Sequence, residues 1–286
     1  MYNYKNLQFD VLKKISGNIN IDMLEHGYLF ADSSWKHINI SSPFNRLYFV
    51  LDGEGYVQNI LEKIVLVPGK MYLIPLHSTY NYICDHSMEK FYVHFKAEYF
   101  FGMDIFGTLS KCITMPFERD VLQELLIKAN ENSFHNAFIL KTYISEMILR
   151  LFRGWSQALP AARPCIRNTH INSSAQYEAA LKYQGIFKFV KDNCSIKLKQ
   201  SQISQYAGVP AAVLSKSFKS TFGYTLKSLI DNIVVQAAKE KLLLTDMTIK
   251  EIAFDLQFTD EFYFSRFFKK HTGVSPRAYR ASNRIP

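Results

Sequence analysis

The chain has no run of 18 or more apolar residues, although 48% of its 286 residues are apolar. A membrane-spanning helix is therefore excluded, while a packed core is not. The opening Met1-Tyr2-Asn3-Tyr4-Lys5 leads into polar sequence and lacks the apolar centre of a signal peptide. Cysteine is sparse and scattered: Cys84, Cys112, Cys165 and Cys194 form no Cys-x-x-Cys pair. They read as reduced, structural thiols of a cytoplasmic protein. There is also no His-x-His pair, so the commonest nucleus of a histidine-rich metal site is missing. The expectation is a protein without metal, cofactor or catalytic residues.

Acidic residues are short in one region only. Residues 178–286 carry 17 basic and 9 acidic residues, whereas residues 1–177 carry 17 and 16. Nearly all of the formal net charge of +9 thus sits in the C-terminal part. A localised cationic surface of this kind suits a polyanionic partner such as DNA.

The same region contains an internal repeat. Ser215-Lys216-Ser217-Phe218-Lys219 and Phe222-Gly223-Tyr224-Thr225 recur as Ser265-Arg266-Phe267-Phe268-Lys269 and Thr272-Gly273-Val274-Ser275, 50 positions on. Upstream, Ile203-Ser204 answers Ile252-Ala253. A repeat of this size implies two copies of one supersecondary unit. In each copy a short helical pattern is followed by a turn, at Gly208-Val209-Pro210 or Gln257-Phe258-Thr259-Asp260. A second helix then buries Leu214 and Phe218, or Phe264 and Phe268, and exposes cations. Two helices, a tight turn and a cationic outer face describe a helix-turn-helix. Gly223 and Gly273 are placed to end the second helices in a left-handed cap. Thr259 or Asp260 is placed to begin the second copy's helix.

Between the copies, Leu226 to Leu244 keeps a helical apolar period. Such a helix is roughly 28 Å long, against about 34 Å for a turn of B-DNA. It can hold two recognition helices against successive major grooves.

The stretch resembles the DNA-binding domain of the AraC/XylS family. The resemblance rests on Thr245-Asp246-Met247-Thr248-Ile249-Lys250-Glu251-Ile252-Ala253, then Phe258, Asp260, and Tyr263-Phe264-Ser265-Arg266-Phe267-Phe268-Lys269-Lys270. It continues through Thr272-Gly273-Val274-Ser275-Pro276 to Tyr279-Arg280. It departs from the family pattern at Gln257, where Gly is usual, and at Pro210, where Ser or Thr is usual. Val234 and Ala237 stand where the family often has Arg, Gln200 where it has Leu, and Ser204 where it has Ala. Carried over position by position, the resemblance implies base contacts at Ala212, Ser215 and Lys216 and at Glu261, Phe262, Ser265 and Arg266. Lys219, Lys269 and Lys270 are expected on phosphates. It further implies contact with RNA polymerase and activation more often than repression.

Residues 20–100 hold short aromatic and β-branched runs: Tyr28-Phe30, Arg46-Leu51, Tyr56-Val57, Ile64-Leu66, Met71-Ile74, Tyr80-Ile83 and Phe91-Phe95. Turn residues punctuate them, which predicts a sandwich or barrel. Leu51-Asp52-Gly53-Glu54-Gly55, Val67-Pro68-Gly69, Leu73-Ile74-Pro75 and Tyr92-Val93-His94-Phe95 resemble the cupin-type sensor that often precedes this DNA-binding domain. Some cupins are metalloenzymes, but His37, His77 and His94 are scattered singles here, which is the usual look of structural histidines. A small-molecule pocket suits the pattern better, lined by Trp35, His37, Arg46, Tyr48, His77, Tyr80, Tyr82 and His94. A sugar is one fit, with a ring stacked on an aromatic and its hydroxyls on Arg and His. Arg46 is the foremost candidate, since an Arg among apolar residues needs a partner when buried.

The expected architecture is α+β with two domains. Residues 1–115 form a cupin-like barrel and 116–156 flanking helices that pair two subunits; 157–176 are a linker. Residues 177–286 form an all-α domain with helix-turn-helix motifs at about 200–222 and 249–272. The expected function is sequence-specific regulation of transcription by a homodimer on double-stranded DNA, responding to a small-molecule effector. The rival readings are a cupin metalloenzyme with a DNA-binding appendage, and an architectural DNA-binding protein without ligand.

Overall fold

The computed structural model describes residues 20–100, 103–107, 109–131, 133–158 and 182–283. The expected linker, apart from the end of one helix at Ala158, lies outside the described residues, as does Cys165.

The N-terminal part is β-rich. Its strands are β1 (Asn20–Asp32), β2 (Lys36–Ser41), β3 (Asn45–Gly53), β4 (Gly55–Gln58), β5 (Lys63–Leu66), β6 (Lys70–Ile74), β7 (Thr79–Ile83), β8 (Ser87–Phe100), β9 (Met103–Asp104) and β10 (Ile113–Pro116). They make two antiparallel sheets. One runs β1-β8-β3-β6-β10, with β9 also on β8; the other runs β2-β7-β4-β5. The described pairings join strands within each sheet, and none of them joins one sheet to the other.

The central strand β3 is buried on both faces, and the period-2 alternation of a strand divides its side chains. Leu47, Phe49 and Leu51, with Met71 and Leu73 of β6 and Phe91, Val93, Phe95 and Ala97 of β8, face one apolar layer. That layer is covered by α1 (Arg119–Ala129) and α2 (Phe134–Ala158) through Leu122, Leu140, Ile144, Met147, Ile148 and Leu151. The other face of β3, with Tyr48 and Val50, meets Ile40, Val57, Leu66, Tyr80 and Tyr82 of the smaller sheet. On α2, Phe134 is 87% and Phe138 60% exposed, while Ile144, Met147, Ile148 and Leu151 face the sheet.

Helices α3 (Gln184–Asp192), α4 (Gln200–Ala207), α5 (Ala211–Phe222), α6 (Leu226–Leu244), α7 (Ile249–Asp255), α8 (Glu261–Thr272) and α9 (Pro276–Asn283) follow. They enclose one core, in which Ile203, Phe218, Val234, Ala238, Leu242, Ile252, Ala253, Phe264 and Phe268 are fully buried. The fold is thus a β-sheet N-terminal part joined to an all-helical C-terminal part, the fold class the sequence predicts.

The two parts touch. Phe44, in the β2–β3 connection, belongs to the helical core. The Asn283 side-chain oxygen accepts from the Ser41 backbone N–H at 2.7 Å, and Tyr279 Oη donates to the Ser41 carbonyl at 3.2 Å. Lys96 pairs with Glu240, and Lys191 pairs with Glu98 at 3.1 Å.

Candidate DNA-binding surface and sensor interior

Each helix-turn-helix is set by local chemistry. In the first, Gly208 takes a left-handed φ of 64° to end α4, and Ser204 Oγ donates to the Val209 carbonyl across the turn. Pro210 then precedes α5 with no side-chain cap. Its fixed φ, here −53°, suits a helix start without one. In the second, Thr248 and Glu251 form a reciprocal capping box at α7. Asp260 Oδ1 accepts from the Tyr263 N–H at 2.7 Å to start α8. Of the two caps the sequence offered, Asp260 is the one used. Gln257 is left-handed, with φ 61°, which gives a backbone reason for the family's usual Gly there. Its side-chain oxygen accepts from Ser195 Oγ at 2.9 Å. Gly223 and Gly273 end α5 and α8 at φ 78° and 83°.

The two second helices present matching faces. On α5, Leu214 and Phe218 are buried while Ala212, Lys216 and Lys219 are exposed and Ser215 is half-buried. On α8, Phe264, Phe267 and Phe268 are buried while Phe262, Arg266, Lys269 and Lys270 are exposed; Glu261 and Ser265 are half-buried. None of Lys216, Lys219, Arg266, Lys269 and Lys270 forms an ion pair with a described residue. Ser215 Oγ is engaged within the protein, donating to Gln200 Oε1 at 3.2 Å. Val213 and Tyr263, 56% and 40% exposed, occupy the equivalent position of the two copies on the same outer side. Sequence reasoning passed over both, although their common place in the repeat was visible.

In the N-terminal part, strand register gathers polar groups between the sheets. Arg46 stands opposite His94, Tyr48 opposite Tyr92 and Val50 opposite Lys90. Glu25 on β1 stands opposite His94 from the other side. His94 Nδ1 lies 2.8 Å from Glu25 Oε2, and its Nε2 lies 3.0 Å from Arg46 Nη1. A neutral ring satisfies both contacts, with Nδ1–H donating to the carboxylate and Nε2 accepting from the guanidinium. Burial first, and then the Arg46 and Lys90 charges, hold this imidazole well below its ordinary range.

The predicted pocket residues do not form one group. Trp35, Tyr48 and Tyr82 pack edge to face in the interior, and His37 sits half-buried at the rim against Trp35. Arg46 is fully partnered: it donates to Ser42 Oγ at 2.8 Å and to the Asn283 carbonyl at 3.4 Å, and its guanidinium lies over Phe44 and Tyr82. Tyr80 Oη is bonded to Glu62 and accepts from the Cys112 N–H at 3.1 Å. His77 takes a left-handed φ of 61°. Burial, then Lys239 and Lys96, bring its imidazole down to about 4, so its charged neighbours include the helical part.

Lys90 was missed. Its side chain is completely buried and its amine has no hydrogen-bond partner. The sequence reading began this strand at Phe91, whereas β8 begins at Ser87, so Lys90 shares an interior face with Tyr92 and His94. Among the described residues no group of three or more His, Cys, Asp or Glu is placed to hold a metal ion. No helix among them is long and apolar enough to cross a membrane.

A family model described as a helix-turn-helix domain matches residues 203–282, which span both motifs, α6 between them and α9. Residues 203–282 carry the helix-turn-helix domain of AraC/XylS-type transcription regulators. The chain is a DNA-binding transcription regulator. It is 22% identical over 242 residues to the raffinose operon transcriptional regulatory protein RafR of Pediococcus pentosaceus, covering 82% of this chain and 84% of that protein. It is 36% identical over 78 residues to the transcriptional activator Btr of Bacillus subtilis, covering 27% of this chain and 15% of Btr. It is 32% identical over 149 residues to the uncharacterised regulator YfiF of Bacillus subtilis, covering 51% of this chain and 45% of that protein. The match therefore spans most of the Pediococcus relative but less than half of either Bacillus one. Among solved structures, ToxT of Vibrio cholerae is similar at 15% identity and a TM-score of 0.48, over 93% of this chain and 98% of that one.

Proposed function

We propose that this regulator reads two successive major grooves with α5 and α8 and that a small-molecule effector in its β-rich part controls how it does so. The observation that carries this reading is the pair of matching outer faces, 50 residues apart on helices fixed by α6. Arg266 is positioned by type and exposure to read a guanine edge, Glu261 to accept from a cytosine amino group, and Phe262 to pack on a thymine methyl. Ala212, Lys216 and Ser265 would complete the base-facing set, with Ser215 released from Gln200; Lys219, Lys269 and Lys270 would meet phosphates.

The effector would act through the contact between the parts. Arg46 bonds His94 inside the β-rich part and the Asn283 carbonyl at the end of the DNA-binding part. A ligand that binds better to one arrangement of this contact shifts the population of the other. The Pediococcus relative's name ties that protein to a raffinose operon, and its similarity extends over most of this chain. Division into a sensor at 1–115, pairing helices at 116–156, a linker at 157–176 and a DNA-binding domain at 177–286 follows from this reading. Dimerisation through α2 is supported by Phe134, Phe138, Ile139 and Leu149, which it leaves exposed. Phe138→Asp should then shift a sedimenting dimer to monomer. Contact with RNA polymerase and activation complete the proposal.

The test is recovery of genomic DNA fragments by the purified full chain at a stated salt concentration. Enrichment of a few promoter fragments supports the reading. Diffuse binding that vanishes with salt, with and without extracts of small metabolites, would refute it.

A further inference from the structure

The interior between the two sheets contains an amine that no described residue hydrogen-bonds. The Lys90 amine lies 3.3 Å from the centre of the Tyr48 ring, 4.3 Å from that of Trp35 and 5.9 Å from that of Tyr92. The faces of these rings attract an ammonium group. They accept none of its N–H donors in a regular hydrogen bond, and burying such a group without acceptors is costly. The Trp35 indole N–H beside it is also buried without a partner. Tyr48 Oη makes no hydrogen bond of regular geometry, though the Arg46 guanidinium lies close. Two of these groups can only donate, so what the interior lacks is an acceptor.

No carboxylate among the described residues bonds the Lys90 amine. Arg46 is a second buried cation on the same face of the sheet. The nearby carboxylates are committed elsewhere: Glu25 to His94, Glu98 to Lys191 and Glu62 to Tyr80. Burial and the Arg46 charge push the Lys90 amine well below its ordinary range, a cost that a bound anion would reverse.

We infer that the interior is a binding site for a small carboxylic acid, its carboxylate on Lys90 Nζ and Trp35 Nε1 and its body against the rings of Tyr48, Tyr82 and Tyr92. This rests on the effector reading above and names the chemical class of the effector. A neutral sugar alone would leave the Lys90 amine without a counter-charge, whereas a sugar acid or an aromatic acid supplies a charge for Lys90 and a face for the rings. The lysine then acts as the specificity-determining residue of the sensor.

The experiment melts the full chain in chloride, acetate, benzoate, galacturonate, galactose and raffinose, at matched ionic strength. Benzoate or galacturonate should raise Tm by several degrees over chloride, and galactose should not. Lys90→Met keeps the length of the side chain and removes the amine; it should melt above the native chain without ligand and lose the acid response. Should that variant fail to fold, the Trp35 emission of a Trp155→Phe chain gives the same answer, changing with acid and not with chloride. Absence of any acid response in the native chain overturns the assignment, as does an acid response that survives in Lys90→Met. A response to galactose or raffinose but to no acid would overturn the acid class and leave an effector-binding sensor standing.

Discussion

Asn283, the last described residue of α9, accepts a 2.7 Å hydrogen bond from the backbone N–H of Ser41 on β2. The two residues are 242 positions apart, and their bond fastens the DNA-binding part to the β-rich part. Asn283 is itself buried and held by a bond from its side-chain nitrogen to the Tyr279 carbonyl. Removing its side chain strands the Ser41 N–H at a closed interface, at a cost of about 1–3 kcal/mol. Asn283→Ala should therefore lower the melting temperature and separate the melting of the two parts in calorimetry. A single unchanged transition would show that the bond does not couple them.

The exposed and buried phenylalanines of α8 should behave oppositely. Phe268 has no exposed surface, and its loss to Ala should cost about 3–5 kcal/mol of stability. Phe262 is 72% exposed, and Phe262→Ala should change stability by no more than about 0.5 kcal/mol while weakening binding to specific DNA. Urea unfolding and a binding titration on the same two variants separate the roles.

Arg266→Ala should cost roughly 1–3 kcal/mol on specific DNA and relax preference at one base pair. Lys269→Ala should weaken specific and random DNA alike and flatten the dependence on salt. Equal losses on both DNAs for Arg266→Ala would remove it from base reading.

Acid should cost the β-rich part the stability held by its two buried neutral histidines. His77 titrates at about 4 in the fold, and His94 is held well below 6.5, the ordinary value for both. Below about pH 6.5 the unfolded chain binds protons that the folded chain refuses. The histidines' contribution to stability therefore falls as pH falls, from about 6.5 down towards 4 for His77, while Asp104, whose buried carboxyl is pushed up to about 6, contributes in the opposite sense. The charges facing these rings, Lys96 and Lys239 at His77 and Arg46 and Lys90 at His94, oppose protonation in the same sense, while Glu25 partly offsets it. Melting followed from pH 7 to pH 4 should show the slope. His77→Asn, which tolerates its left-handed backbone, should reduce it.

The DNA-binding half was legible because its signals are local. Helix period, the repeated Phe218 and Phe268, the capping Asp260 and the terminal Gly223 and Gly273 each act within a few residues of chain. Gln257 looked only like a departure from a pattern, and its left-handed φ supplies the reason the pattern exists. The β-rich half was legible as strands, yet β2, β9 and β10 and the full lengths of β1 and β8 were not read. A strand is stabilised by partners far along the chain, so its ends are set by pairing and not by its own residues.

That difference governs the sensor as well. The sequence alone determined that Arg46 needs a partner, since a guanidinium among apolar neighbours cannot stay bare. It could not say that the partners are Ser42, His94 and the carbonyl of Asn283, 237 residues away. Nor could it say that Lys90 turns inward, because one residue of strand register decides which face a side chain takes. Composition, repeat and period determined a DNA-binding protein with two reading helices. Only the pairing of β3 with β8 put Arg46, Lys90, Tyr48 and Tyr92 on one interior face, where Trp35 meets them, and only the packing of α9 against β2 joined that interior to the DNA-binding part.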